Sequence, residues 1–310
     1  MRTSSRRGRI AALLATVLMV LPLVALSSPV IAATPDGVSG PVIYQDGSWH
    51  IRTTPTSGRA NLTFSFGRAG SDWDVPIVGD WDGDGDETVG IARAVASPPE
   101  GRFTWFLRNT NSSGPAHVTF DFGVPGATDF LRGVPIAGNL DPADDAYEVG
   151  YVLMVGDHLV WTIRQDMTPS SPEVSFVYGL SRTDVVVVGD WDGDGVDTAG
   201  VVRGNQWLLT NARAQGGTAQ LSFSYGTVNR SIPEYKIVGD WNGDGVDTPG
   251  VLRNNPPTDL VGGFETWLVK NENTTGSADA AFTYGSDAFT FNGQPQSSPL
   301  FLPRLTIEVT

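Results

Sequence analysis

The sequence contains no cysteine. That excludes thiol catalysis, thiolate zinc sites, iron–sulfur clusters and any disulfide framework. A fold outside the cell would then depend on its core or on bound metal. Histidine is nearly absent too. His50, His117 and His158 fall at unrelated places, and none accompanies a nucleophile signature. No Gly-x-Ser-x-Gly, His-Glu-x-x-His or phosphate-loop motif occurs. Basic residues are scarce. Four of the 20 lie in the first nine positions, leaving 16 against 34 acidic residues and a formal charge of −18. Such a surface disfavours nucleic acid and anionic lipid and suits cations. Beyond residue 26 no apolar run is long enough to span a membrane.

The first 33 residues differ from the rest. Arg2, Arg6, Arg7 and Arg9 precede an apolar run from Ile10 to Leu26, broken by Pro22, and Val30-Ile31-Ala32-Ala33 offers small residues for cleavage. This order predicts a secretory signal over residues 1–33 and a secreted chain over 34–310. A membrane anchor is the alternative, because the run approaches the shortest span.

Self-similarity dominates the remainder of the chain. Val78-Gly79-Asp80-Trp81-Asp82-Gly83-Asp84-Gly85 recurs at Val188 to Gly195, and at Val238 to Gly245 with Asn242 in place of one Asp. A worn copy begins at Ala137-Gly138-Asn139-Leu140-Asp141. After each intact loop comes a Gly-Val strand (Gly90-Ile91, Gly200-Val201, Gly250-Val251), and each unit carries a Trp-centred strand at Trp49, Trp105, Trp161, Trp207 or Trp267. Next comes an alternating strand ending in aromatic-Gly, at Gly67, Gly123, Gly179, Gly226 and Gly285. Alternation and β-branched content predict four short strands per unit. Four strands in roughly 50 residues predict a β-propeller blade. The units are 42–79, 80–138, 139–189, 190–239 and 240–310, which makes an all-β propeller of about five blades. The unit at 42 lacks its first strand, and apolar residues such as Leu305-Thr306-Ile307 stand where that strand is due. Strands from both ends of the chain are therefore expected to close one blade, hiding sheet edges. An open array is the rival arrangement.

The recurring loop has the donors of a cation site. With Asp80 as position 1, acids follow at Asp82 and Asp84, then Asp86 at position 7, through its carbonyl, and Thr88 at position 9. The second copy is Asp190, Asp192, Asp194, Val196 and Thr198, and the third is Asp240, Asn242, Asp244, Val246 and Thr248. Calcium takes six to eight oxygens, and alternate loop positions can wrap one ion. An Asp-Gly hairpin turn explains one acid, but not three at alternate positions. About three calcium ions are expected, and none at residues 139–148, where spacing and glycines are lost.

These loops and strands resemble the FG-GAP or VCBS-type repeats, best known from the propeller of integrin α chains. The Phe-Gly mark, the Asp-x-Asp-Gly-Asp-Gly loop and the Gly-Val strand match over nearly all of residues 42–290. The resemblance implies that the loop joins the first two strands of a blade and binds calcium through positions 1, 3, 5, 7 and 9. Two features depart from it. Position 9 is usually Asp, whereas here the acid stands one place earlier, at Glu87, Asp197 and Asp247. The integrin ring has seven blades, so its mode of adhesion does not transfer.

The Trp strands read as packing between blades, and so do Trp81, Trp191 and Trp241. Trp73, Phe130 and Tyr235 fall in the connections between blades, where exposed rings would suit stacking on sugars. The leading functional expectation is a non-enzymatic binding or adhesion module for carbohydrate, a cell-surface polymer or an extracellular protein. A polysaccharide hydrolase or lyase using the propeller cleft and a spacer with no ligand beyond calcium are the alternatives.

Overall fold

The computed structural model describes residues 37–71, 74–97, 100–123, 133–168, 171–180, 183–212, 217–228, 234–254, 265–285 and 306–307. The expected signal over residues 1–33 lies outside them, as do Trp73 and Phe130. Every described residue belongs to one compact unit, Ala33–Thr310.

Alternating patterns become antiparallel strands throughout, and no helix occurs among the described residues. The chain begins with β1 (Gly40–Gln45), β2 (Ser48–Ile51) and β3 (Leu62–Ser65). The second sheet is β4 (Asp74–Gly79), β5 (Thr88–Ser97), β6 (Glu100–Leu107) and β7 (Val118–Phe122). The third is β8 (Val134–Gly138), β9 (Glu148–Val155), β10 (His158–Arg164) and β11 (Glu173–Leu180). The fourth is β12 (Asp184–Gly189), β13 (Thr198–Arg203), β14 (Gln206–Leu209) and β15 (Leu221–Ser224). The fifth is β16 (Glu234–Gly239), β17 (Thr248–Asn254), β18 (Glu265–Val269) and β19 (Ala280–Thr283). Finally β20 (Thr306–Ile307) returns to β1, with Gly40 opposite Ile307 and Pro41 opposite Thr306.

Each sheet runs in sequence order from an inner to an outer strand, and the first sheet reads β20-β1-β2-β3. The inner strands β4, β8, β12, β16 and β20 touch their neighbours in cyclic order, β20 meeting both β16 and β4. The molecule is a five-bladed β-propeller closed by strands from both ends of the chain. Burial follows radius. β4 and β8 are buried along their whole length, whereas β3 alternates between half-buried and exposed, as does β7 up to its buried last residue, Phe122.

Each gap between blades holds its own apolar core. In the gap between the second and third blades, Trp105 and Phe122 pack with Ala137, Val149 and Tyr151. The five Trp of the third strands are fully buried. Four of them stack on the Phe directly opposite, at centroid distances of 5.7–6.4 Å. Every one also donates its indole N–H to the carbonyl of the aromatic residue before the Gly mark: Trp49 to Phe66 at 2.7 Å, Trp161 to Tyr178 at 2.8 Å, Trp267 to Tyr284 at 3.0 Å, Trp207 to Tyr225 at 3.2 Å and Trp105 to Phe122 at 3.4 Å. That bond accounts for the nearly constant spacing of Trp and aromatic-Gly, 17 residues in four blades and 18 in the fourth blade. Truncating such a Trp costs about 3–5 kcal/mol.

Cations fasten the outer part of the ring. Arg108 lies over Phe66 of the preceding blade, Arg164 over Phe120 and Phe122, and Lys270 over Tyr225. On the opposite face Asp74–Arg93, Asp184–Arg203 and Glu234–Arg253 pair across the first two strands at 2.5–2.7 Å. The carboxylates also accept the backbone N–H groups of Arg68, Leu180 and Thr227, which tie down the incoming connections.

Candidate metal centres

In an antiparallel four-stranded blade the first and third connections emerge at the same end. The acidic loops therefore share one face of the propeller with the connections between third and fourth strands. Each acidic loop joins the inner strand to the next, as between β4 and β5, with Gly79 opposite Thr88.

Position 1 organises the loop. Asp80 Oδ1 accepts the N–H groups of Gly83 and Asp84, at 2.8 and 3.2 Å, and Oδ2 accepts that of Gly85 at 2.8 Å. Gly83 and Gly85 make this possible with φ of 71° and 94°, a region that L side chains avoid. Asp190 and Asp240 repeat the arrangement on Gly193, Asp194 and Gly195 and on Gly243, Asp244 and Gly245. At position 5, Asp84 Oδ1 accepts the N–H of Asp86 at 3.0 Å, and Asp194 and Asp244 do the same for Val196 and Val246.

This folding brings the predicted acids together. One carboxylate oxygen each from Asp80, Asp82 and Asp84 lies within 4.8 Å of the others, and the same holds for Asp190, Asp192 and Asp194. Among the described residues these are the groups of three or more acids that could hold an ion. Partial burial, followed by the charges of Asp194 and Asp190, holds Asp192 above its ordinary pKa, the behaviour of carboxylates crowded without a counter-charge. In the third loop Asn242 donates to Asp244 at 2.9 Å, so two carboxylates and an amide stand there.

Position 9 is placed differently from the other predicted ligands. Thr88 donates its hydroxyl to the carbonyl of Arg108 at 2.6 Å, and Thr248 to that of Lys270 at 2.6 Å. Thr198 donates to Gly189 at 3.4 Å. All three are buried among strand ends.

Position 8 has a role that sequence reading missed. Asp247 donates its N–H to the carbonyl of Asp190 at 2.7 Å, and its Oδ2 accepts the N–H of Asp190 at 3.0 Å. Asp197 makes the same two bonds to Asn139, at 2.7 and 2.8 Å. At the seam of the ring Ser39 donates its N–H to Asp240 at 2.6 Å, and its Oγ accepts the N–H of Asp240 at 2.9 Å. Tyr147 donates its N–H to Asp80 at 2.6 Å and its hydroxyl to Glu87 at 2.9 Å. The displaced acids are brackets between blades. The partners are some 57 residues apart, so no local pattern reveals them.

The worn loop of the third blade is one residue longer, since Gly138 faces Glu148. Glu148 stands in the register of Thr88, and its Oε2 accepts the N–H groups of Leu140 and Asp141, both at 2.8 Å. Burial, then the nearby Asp144 and Asp141 charges, push its pKa up to about 8 against the pull of those two bonds. Loop closure passes from a position-1 carboxylate to a buried glutamate.

On the other face Tyr235 is partly exposed at the start of β16. The other two expected aromatics, Trp73 and Phe130, lie outside the described residues. Searches against protein-family models, curated proteins and solved structures each returned no match for this chain.

Proposed function

We propose that this is a secreted, calcium-stabilised propeller of the FG-GAP or VCBS repeat type, acting as a non-enzymatic binding module at the cell surface or in the medium. One observation carries the metal assignment: two triads of carboxylate oxygens within 4.8 Å, each built on a glycine-dependent backbone cage. The donors are all oxygen, which favours calcium or magnesium over softer ions. Asp80, Asp82 and Asp84 would hold one ion and Asp190, Asp192 and Asp194 another, with backbone carbonyls at Asp86 and Val196. Asp240, Asn242, Asp244 and Val246 would form a weaker third site. The bound ion would neutralise the crowded carboxylates and fix the loops of one face for display. A binding role is favoured over hydrolysis because the clustered acids belong to these loops. Carbohydrate or another extracellular polymer is the proposed partner class, with Tyr235 its one described aromatic candidate.

Calorimetric titration of residues 34–310 with calcium and magnesium tests the metal assignment. Two to three calcium ions with dissociation constants of about 10⁻⁴–10⁻³ M are expected. No heat and no competition by calcium for a lanthanide probe would refute it. Binding to immobilised glycans and cell-wall polymers, with and without chelator, tests the partner class.

A further inference from the structure

We infer that Asn109 and Asn211 each supply an additional oxygen ligand to the metal loop beside them, from outside that loop. The inference rests on the proposed calcium assignment and extends it.

Four observations converge. First, Asn109 Nδ2 donates to Asp82 Oδ2 at 2.6 Å, and Asn211 Nδ2 donates to Asp192 Oδ2 at 2.6 Å. Each amide thus touches the position-3 carboxylate of its own blade. Second, the other end of each amide, Oδ1, is buried with no hydrogen-bond partner. Oδ1 of Asn111, Asn139 and Asn273 is buried without a partner as well, so what sets Asn109 and Asn211 apart is that their other end touches an acid of the loop. Third, the residue four places after the third-strand Trp is Asn109, Asn211 and Asn271 in the three blades that carry acidic loops, and Thr53 and Gln165 in the two that do not. Fourth, the backbone does not require Asn there. The N–H at this place is held in all five blades: by Asn61 in the first, His117 in the second, Pro172 in the third, Gln220 in the fourth and Asp279 in the fifth. The side chain follows the state of the loop, whereas the anchoring is common to every blade.

The chemistry is that of a two-ended group. An amide offers N–H donors at one end and a carbonyl oxygen of nearly equal size at the other. With the loop empty, the N–H end offsets part of the carboxylate crowding. With a cation present, a half-turn of the amide exchanges the ends and gives the ion a neutral oxygen. A loop of this composition has few charged donors at its far end, because Thr88 and Thr198 are committed to strand carbonyls. An outside oxygen would fill that deficit toward the six to eight ligands of calcium.

Terbium luminescence provides the test, since Trp81 and Trp191 at loop position 2 can sensitise the ion. The decay rate in light and heavy water counts the waters left on it. The double variants N109A/N211A and N109D/N211D are compared with T53A/Q165A, and folding is checked by thermal unfolding in chelator. The expected result is a calcium dissociation constant raised about tenfold or more in the alanine pair, with one more water on the ion at each altered loop. Aspartate should restore both values, and T53A/Q165A should change neither. Unchanged affinity and water count in N109A/N211A would overturn this inference while leaving the calcium loops standing. Weaker affinity with an unchanged water count would also overturn it, making each Asn a positioning residue for the acid it touches. Failure of the unaltered protein to bind any ion would remove both this inference and the calcium assignment.

Discussion

Asp190 and Asp192 are both acids of one loop, yet their surroundings predict opposite consequences when each is changed to Asn. Asp190 accepts N–H bonds from Asp192, Gly193, Asp194 and Gly195 at 2.7–3.3 Å. An amide can present oxygen to one side of that cage, but it then turns N–H groups toward the other. D190N should therefore cost about 1–3 kcal/mol even without metal. Asp192 is exposed, accepts one amide bond and is repelled by its neighbours. In chelator D192N should stay within about 0.5 kcal/mol of the parent. Calcium changes the comparison. At 1 mM ion, a site of about 10⁻⁴–10⁻³ M affinity adds about 0.4–1.4 kcal/mol. A tenfold loss of affinity in D192N would leave about 0.1–0.4 kcal/mol of that increment. Urea unfolding of the parent and both variants, in chelator and in 1 mM calcium, reads all six values. If D192N is as destabilising in chelator as D190N, or keeps the full calcium increment, the added structural role given to Asp190 and the ligating role given to Asp192 are wrong.

The pairs Asp74–Arg93, Asp184–Arg203 and Glu234–Arg253 predict an acid limb. Burial alone would raise these carboxyls, but the bonds to arginine and backbone outweigh it and hold each below its ordinary value. Their stabilisation is full above the unfolded pKa and fades as pH falls toward the folded one, so urea midpoints should drop below about pH 4, less steeply in D184N. Glu148 acts with the opposite sign. Its raised pKa means stability declines from near pH 4.5 up to about 8, by up to about 1.4 kcal/mol per unit. E148Q should flatten melting temperature over that range, and an unchanged slope would place the titration elsewhere. Replacing each third-strand Trp by Phe removes one indole bond and leaves a buried carbonyl. Chemical denaturation should show about 1–3 kcal/mol lost, least in W105F, whose 3.4 Å bond is the longest.

The blade count, the four-strand order and the closing strand were legible because a β pattern has period two and the units repeat. Trp49 and its equivalents could be read as packing from size and spacing alone. The acid triads were legible because one loop holds all three. What escaped were contacts between separate repeats. Asp247 on Asp190 joins positions 57 residues apart, and Arg108 over Phe66 crosses a gap between blades. The acid at position 8 resembled a shifted ligand because sequence records which residue is near the loop, not which way it turns. Asn109 and Asn211 escaped for the same reason. A single Asn after a strand carries no signal until its neighbour in space is known.

The brackets between blades grip the main chain of position 1, not its side chain. A blade can therefore do without the acid at position 1 without loosening the ring, as the third blade does with Asn139, whose backbone still meets Asp197. Ion number and architecture are thus separately adjustable. Duplicated blades can drift in cation content while remaining mechanically interchangeable, and an engineer could silence or install a site one blade at a time.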